Sequence, residues 1–235
     1  MVKLELRNIS KSYKQVMALK SFSYEFTNGI YGILGPNGAG KSTLMNIITR
    51  NICSDEGEIF LDGENIKKLK NQYISRIGYM PQQQAVFDNL SLLRFMYYIA
   101  ALKGIKKKDA DIQIEDLLGR VDLWNDRNRK LGGFSGGMKQ RALIAQALLG
   151  NPDIVILDEP TAGLDPMQRV AVRNLIKDMS ENRIFIVSTH VVSDIESIAK
   201  QIIVMKKGEI IEDRDMADES KQEERIEEMY IRLFN

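Results

Sequence analysis

An α/β fold, with a mostly parallel sheet and helices on both faces, is predicted for this 235-residue chain by three observations. Short apolar, β-branched runs alternate along the chain with stretches of helical periodicity. Ile30 to Leu34 reads as a buried strand running into a glycine-rich loop, and Leu44 to Thr49 leaves that loop with helical spacing. Val155, Ile156 and Leu157 form a second apolar run that ends in Asp158 and Glu159. A strand buried on both faces that delivers acids to its carboxyl end has this pattern.

The elements follow in order. Residues 2–9 and 18–26 alternate apolar with polar and read as half-buried strands of an N-terminal antiparallel β subdomain. Glu58–Leu61 is a strand ending in the tight turn Asp62, Gly63, Glu64, and Ile77–Met80 is a short strand stopped by Pro81. From about Asp88 to Gly133 the chain turns helical and rich in Lys and Asp, which predicts an inserted α-helical subdomain. Met138–Leu149 and Met167–Glu181 are predicted helices, Asp153–Asp158 and Arg183–Ser188 predicted strands, and Val191–Lys200 a further helix. Ile202–Met205 and Glu209–Ile211 read as a hairpin around Lys206, Lys207 and Gly208. Met216 to Phe234 is a charged helix whose Ile226, Met229, Tyr230 and Leu233 share one face. The division expected is one domain over 1–235, with 1–87 and 134–235 as core plus β subdomain and 88–133 as the helical subdomain.

Composition narrows the function classes. Thirty-three Lys and Arg against 32 Asp and Glu leave a formal charge of +1, so global charge offers no argument for nucleic acid as a partner. Cys53 is the single cysteine, which rules out an intrachain disulfide, fits a reducing compartment and reads as a small apolar filler. The charged, alternating N-terminus is unlike a secretory signal. The apolar run Leu90–Leu102 is interrupted by Ser91 and Arg94, too short and too polar to span a bilayer, so a membrane connection is expected through a partner chain.

The loop Gly35, Pro36, Asn37, Gly38, Ala39, Gly40, Lys41, Ser42, Thr43 fits the phosphate-binding pattern of a glycine, four residues, then Gly-Lys-Ser. The glycines let the backbone curl so that its N–H groups face a polyphosphate. Lys41 would place a charge between the β- and γ-phosphates, and the Ser42 hydroxyl can ligate Mg²⁺. Asp158 can hold the same ion through water, and Glu159, on the exit turn, can polarise an attacking water as general base. A nucleoside triphosphate is the implied ligand.

Phe134, Ser135, Gly136, Gly137 and Met138, lying ahead of a helix and before the Asp-Glu strand, resemble the signature motif of ABC-type ATPases, commonly written LSGGQ. The resemblance runs in family order from Tyr13 to His190 and covers nearly the whole chain. It implies a P-loop NTPase (RecA-like) core. Tyr13 would stack on adenine, worth about 1 kcal/mol. Gln82, after Met80 and Pro81, corresponds to the glutamine that reaches Mg²⁺ or the lytic water, with neighbouring Gln83 and Gln84 as alternatives. Ala162, Gly163, Leu164 and Asp165 match the D-loop, and His190 the switch histidine that contacts the γ-phosphate. The signature is implied to act in trans. In a head-to-tail dimer Ser135 and the Gly136 and Gly137 amides would face the partner's γ-phosphate, and Asp165 would couple the sites. Met138 stands where glutamine is commonest, so any glutamine-type contact is missing.

The resemblance therefore implies an ATP-hydrolysing, Mg²⁺-dependent subunit that powers a membrane transporter through ATP-driven dimerisation. Its expected partners are a second nucleotide-binding domain, identical or closely related, and separate transmembrane subunits. Its expected place is cytoplasmic, peripheral on the inner face of the membrane. Val86, Phe87, Leu90 and the run Leu92 to Tyr98 supply an apolar cluster near the expected docking groove, most of it subdomain core, with Phe87 reaching the groove. Met138, the segment from Asp88 and the C-terminal run from Ile226 to Phe234 look most like bacterial exporter subunits for drugs or peptide antibiotics, and the regulatory domain frequent in importers is not seen. The alternatives are a stand-alone ABC-type regulator acting on a cytosolic partner, an importer subunit, and a P-loop phosphotransferase, the last disfavoured by the signature and the switch histidine.

Overall fold

The computed structural model describes residues 1–82, 87–218 and 224–234. The chain opens with β1 (Lys3–Tyr13), β2 (Val16–Thr27) and β3 (Gly29–Leu34), then α1 (Lys41–Ile48), β4 (Glu56–Leu61) and β5 (Glu64–Asn65). Two short helices, α2 (Ile66–Leu69) and α3 (Asn71–Ser75), lead to β6 (Ile77–Met80). Next come α4 (Leu92–Leu102), α5 (Lys107–Arg120), α6 (Gly136–Leu148), β7 (Ile154–Asp158), α7 (Pro166–Met179) and β8 (Ile184–Thr189). The chain closes with the hairpin β9 (Gln201–Lys206) and β10 (Glu209–Asp215), then α8 (Ile226–Phe234).

Among the described residues the strands form two sheets, a four-stranded antiparallel one in the order β2-β1-β4-β5 and a six-stranded one in the order β10-β9-β3-β8-β7-β6. The larger sheet is parallel except for β10. The β4–β5 turn has Asp62 and Gly63 both at positive φ, 52° and 83°, the twist that a tight hairpin needs.

Period-two alternation divides the core. In β7, Val155 and Leu157 join a cluster with α4 to α8, whereas Ile154 and Ile156 join a cluster with α1 and the antiparallel sheet. The large sheet is therefore covered on both faces, and its strands read as continuous apolar runs. Helices α4 and α5 share their apolar cluster with α6, through Phe95, Met96, Ile114, Leu118 and Ile144.

Some expectations need correction. Val191–Lys200 is not one helix: a 3₁₀ turn at Val192–Asp194 is followed by irregular turns. Val191 is extended, with its N–H bonded to Thr189 Oγ1, and buried Ile195 packs against Gly32, where an added Cβ would lie 2.5 Å from it. That contact outweighs helical periodicity. The signature helix starts at Gly136, earlier than the expected Met138, because Ser135 caps it. The charged tail is helical over Ile226–Phe234, with turns at Met216 and Ala217; its expected apolar face does pack on the core, with Ile226 and Met229 fully buried. Cys53 is exposed and fills no gap. Of the apolar cluster, Leu92, Phe95 and Met96 are core, whereas Phe87 and Tyr98 are exposed and meet edge to face at 5.5 Å. Val86, Gln83 and Gln84 lie outside the described residues.

Candidate functional site

Sheet register assembles the site. Leu34 pairs with Thr189, Asp158 with Ser188, and Met80 with Leu157. The strands are parallel, so the segments leaving β3, β8, β7 and β6 emerge at one carboxyl edge. They carry the phosphate loop, His190, Glu159 and Gln82 respectively.

An open cleft of about 340 Å³ at that edge is lined by Asn37, Gly38, Ala39, Gly40, Lys41, Ser42, Thr43, Gln82 and Glu159, with Val16 and Ala18 of β2 as the opposite wall. Gly40, at φ 107°, starts α1, and a Cβ there would sit 2.5 Å from the Ala18 carbonyl oxygen, so only glycine lets β2 pass so close. No side chain caps the α1 N-terminus, which leaves its amides free for an anion. The β9–β10 turn braces the loop: Gly208 N–H donates to the Ala39 carbonyl at 2.9 Å, and Lys20 N–H to the Gly208 carbonyl at 3.0 Å.

Lys41 is buried and donates to the carbonyls of Gly35 at 2.6 Å and Pro36 at 3.2 Å. Burial pushes its pKa below the ordinary value, and the charges of Glu159 and Asp158 oppose that. Asp158 and Glu159 are buried. Ser188 Oγ donates to the Asp158 carboxylate and accepts from the Glu159 backbone N–H at 3.1 Å, so one hydroxyl ties the first acid to the backbone of the second. Glu159 itself sits at φ 54°, a left-handed conformation that costs of order 1–3 kcal/mol for a side chain of this kind. It turns the carboxylate back toward His190, whose Nδ1 lies 3.0 Å from it. The Glu159 side chain is mostly buried, at 5% exposure, where it reaches the cleft, and the His190 ring is more than half open.

The remaining expected residues fall elsewhere. Tyr13 ends β1, half exposed, with the Lys11 ammonium 5.8 Å from its ring centre. Ser135 and Gly137 line a second cleft, with Met138, Arg141, Met167 and Gln168, and none of these lines the phosphate-loop cleft. Ser135 Oγ accepts the Met138 N–H at 3.3 Å, and exposed Asp165 caps α7 by accepting the Gln168 N–H at 2.9 Å. Sequence reasoning missed Ser188, the Val16–Ala18 wall and the Gly208 brace. The signal for Ser188 was a hydroxyl closing an otherwise apolar strand, Ile184 to Val187.

This edge, with its phosphate loop, paired acids and separate signature cleft, defines a nucleotide hydrolase of the P-loop class. The ABC transporter family profile matches residues 19–162. The chain is 36% identical over 208 residues to the uncharacterized ABC transporter ATP-binding protein YxlF of Bacillus subtilis, covering 88% of this chain and 69% of that protein. It is 33% identical over 223 residues to the lantibiotic transport ATP-binding protein SrtF of Streptococcus pyogenes, covering 94% of each. A dimeric ATP-binding cassette in a post-hydrolysis state, bound to ADP and Pi, matches with a TM-score of 0.80 at 28% identity, over 91% of this chain and 98% of that one. The chain belongs to the ABC transporter family and is an ATP-binding, ATP-hydrolysing subunit of that family.

Proposed function

We propose that the subunit powers export of small molecules or peptides across a membrane by closing as a dimer on ATP. The observation that carries this reading is the Glu159–His190 contact at 3.0 Å beside the cleft lined by Lys41 and Ser42. The exporter assignment draws on SrtF, whose name is that of a lantibiotic transport protein. No helix among the described residues is long and apolar enough to cross a membrane. In the proposed assembly separate transmembrane subunits form the membrane path and this subunit sits on their cytoplasmic face.

In this mechanism the polyphosphate enters the loop from Gly35 through Pro36, Asn37, Gly38, Ala39, Gly40, Lys41 and Ser42 to Thr43, with adenine on Tyr13. Lys41 exchanges its bonds to the Gly35 and Pro36 carbonyls for phosphate oxygens. The Ser42 hydroxyl, the Asp158 carboxylate and the Gln82 side-chain oxygen are hard donors of the kind Mg²⁺ accepts beside phosphate. The ion would supply neutralisation of phosphate charge at that place. Glu159 takes the proton of the attacking water, and His190 orients that water against the γ-phosphate. Ser135 and the Gly136 and Gly137 amides of a second subunit complete the anion site from the far side. Asp165 couples the two sites. Residues 88–133 form the subdomain that meets the membrane subunits, with exposed Phe87 at the contact.

The test is ATP-dependent dimerisation of Glu159→Gln, read by light scattering. Dimers with Mg²⁺ and ATP, lost again when Ser135→Arg is added, are expected. A Glu159→Gln chain that hydrolyses ATP at the wild-type rate would overturn the assignment of the base.

A further inference from the structure

The mechanism leaves unused a buried carboxylate, that of Asp194, at the end of the 3₁₀ turn four residues beyond His190. It accepts the Thr161 Oγ1 hydroxyl at 2.6 Å and the Arg169 Nη1 at 3.2 Å. Thr161 opens the loop that leads to Asp165, and its carbonyl accepts the Leu164 N–H at 3.3 Å. Arg169, on α7, also donates Nε to the Leu164 carbonyl at 3.1 Å. One turn further along the same face of α7, Arg173 donates to the Ser193 carbonyl. The segment carrying His190 is thus bonded, through one shared carboxylate and one carbonyl, to the loop and helix that carry Asp165. A buried, charge-assisted joint of this kind is stiff, and losing one member leaves the others unsatisfied.

We propose that Asp194 is a positioning residue: with Thr161 and Arg169 it locks the His190 segment to the Asp165 loop, so that the two shift as one body. A partner subunit pressing on Asp165 then sets the reach of His190 in this chain, and the ring meets the γ-phosphate only when the dimer is closed. Asp194 acts through His190 and touches no substrate. The proposal rests on the reading of Glu159 and His190 given above.

The experiment is steady-state ATP hydrolysis by the full chain, measured well below each variant's melting temperature. Asp194→Ala and Thr161→Val should lower kcat roughly tenfold, the scale expected of a sub-ångström to 1 Å misplacement of a catalytic group, with the KM for MgATP within about twofold of wild type. Thr161→Ser keeps the hydroxyl and should restore kcat, a rescue that a loss of packing would not give. Thr161→Val combined with Asp194→Ala should be no slower than Asp194→Ala alone, because both break one joint. A folded Thr161→Val with wild-type kcat overturns the proposal, as does a Thr161→Ser as slow as Thr161→Val. Glu159→Gln and His190→Ala serve as controls. If both are inactive while Thr161→Val is fully active, the joint alone is wrong; if both hydrolyse like wild type, the site reading falls and the joint with it.

Discussion

The N-termini of α1 and α6 each line a cleft, and they are finished differently. At α1 the cap is Gly40, left-handed and without a side chain to satisfy the first amides. At α6 the cap is Ser135, whose hydroxyl oxygen takes the Met138 N–H. Both ends carry the positive pole of a helix dipole and free N–H groups. The first has a lysine, two acids and the segment bearing Gln82 gathered around it by sheet register, all from one chain. The second has the first turns of α7, with Met167 and Gln168, beside it and a cap already made; on the proposed reading it would act on the nucleotide of a second chain. On the proposed reading, the end that meets phosphate in its own chain is left uncapped, whereas the end that would meet a partner's nucleotide is held meanwhile by its own serine.

The sharpest way to break this comparison is at Lys41. Lys41→Met should weaken ATP binding by about 2–4 kcal/mol, since it removes the charge that meets the phosphates. It should leave thermal stability unchanged or slightly raised, because burial already disfavours the ammonium there. Calorimetric titration with ATP and a melting curve check both halves, and unchanged ATP affinity would refute the first.

Ser135→Ala should behave in the opposite sense. Loss of the cap costs about 0.5–1 kcal/mol of stability, the low end of the range given its 3.3 Å bond. ATP affinity of the single chain should not move, and ATP-driven dimerisation should weaken. Equal loss of affinity and dimerisation would mean that the two helix ends are not functionally separate.

The smallest effect lies at the other end of α6. Lys103, exposed as a residue, places its ammonium against the last carbonyls of that helix and donates to Leu149 at 2.5 Å. Desolvation pushes its pKa down to about 8. Between that value and the ordinary pKa of ~10.4 the unfolded chain binds more protons than the folded one, so stability rises with pH across the window. The burial penalty is fully present below about pH 8 and relieved above it. Urea midpoints at about pH 7.5 and about pH 9.5 should show a small gain for wild type relative to Lys103→Met. A flat difference would show that the bond to the helix carbonyls outweighs desolvation.

The α1 end was readable from sequence because its chemistry is contiguous: loop, lysine and serine follow one another from Gly35 to Ser42. Asp158 and Glu159 alone could have been an ordinary surface turn before Pro160; the apolar run ahead of them and the phosphate loop upstream are what marked them. The strands other than β5, which was read as part of a turn, and the helix α7 were placed to within a few residues, because alternation and helical spacing are local properties. The helix expected over Val191–Lys200 failed because local periodicity there competes with a distant demand, the fit of Ile195 onto Gly32 in β3. Cys53 failed for the related reason that residue type sets only a preference for burial.

Sequence by itself determined the ligand class, the alternating α/β order and the identity of the family, because each rests on residue types at fixed short spacing. Tertiary structure alone decided which hydroxyl holds the acids, which turn braces the phosphate loop and which carboxylate joins the His190 segment to the Asp165 loop. Ser188 meets Asp158 across 30 residues and Asp194 meets Thr161 across 33. Contacts of that range depend on the register of β7 against β8 and on how α7 packs beside the 3₁₀ turn. Both follow from the packing of the whole sheet and its covering helices, which no short stretch of sequence contains.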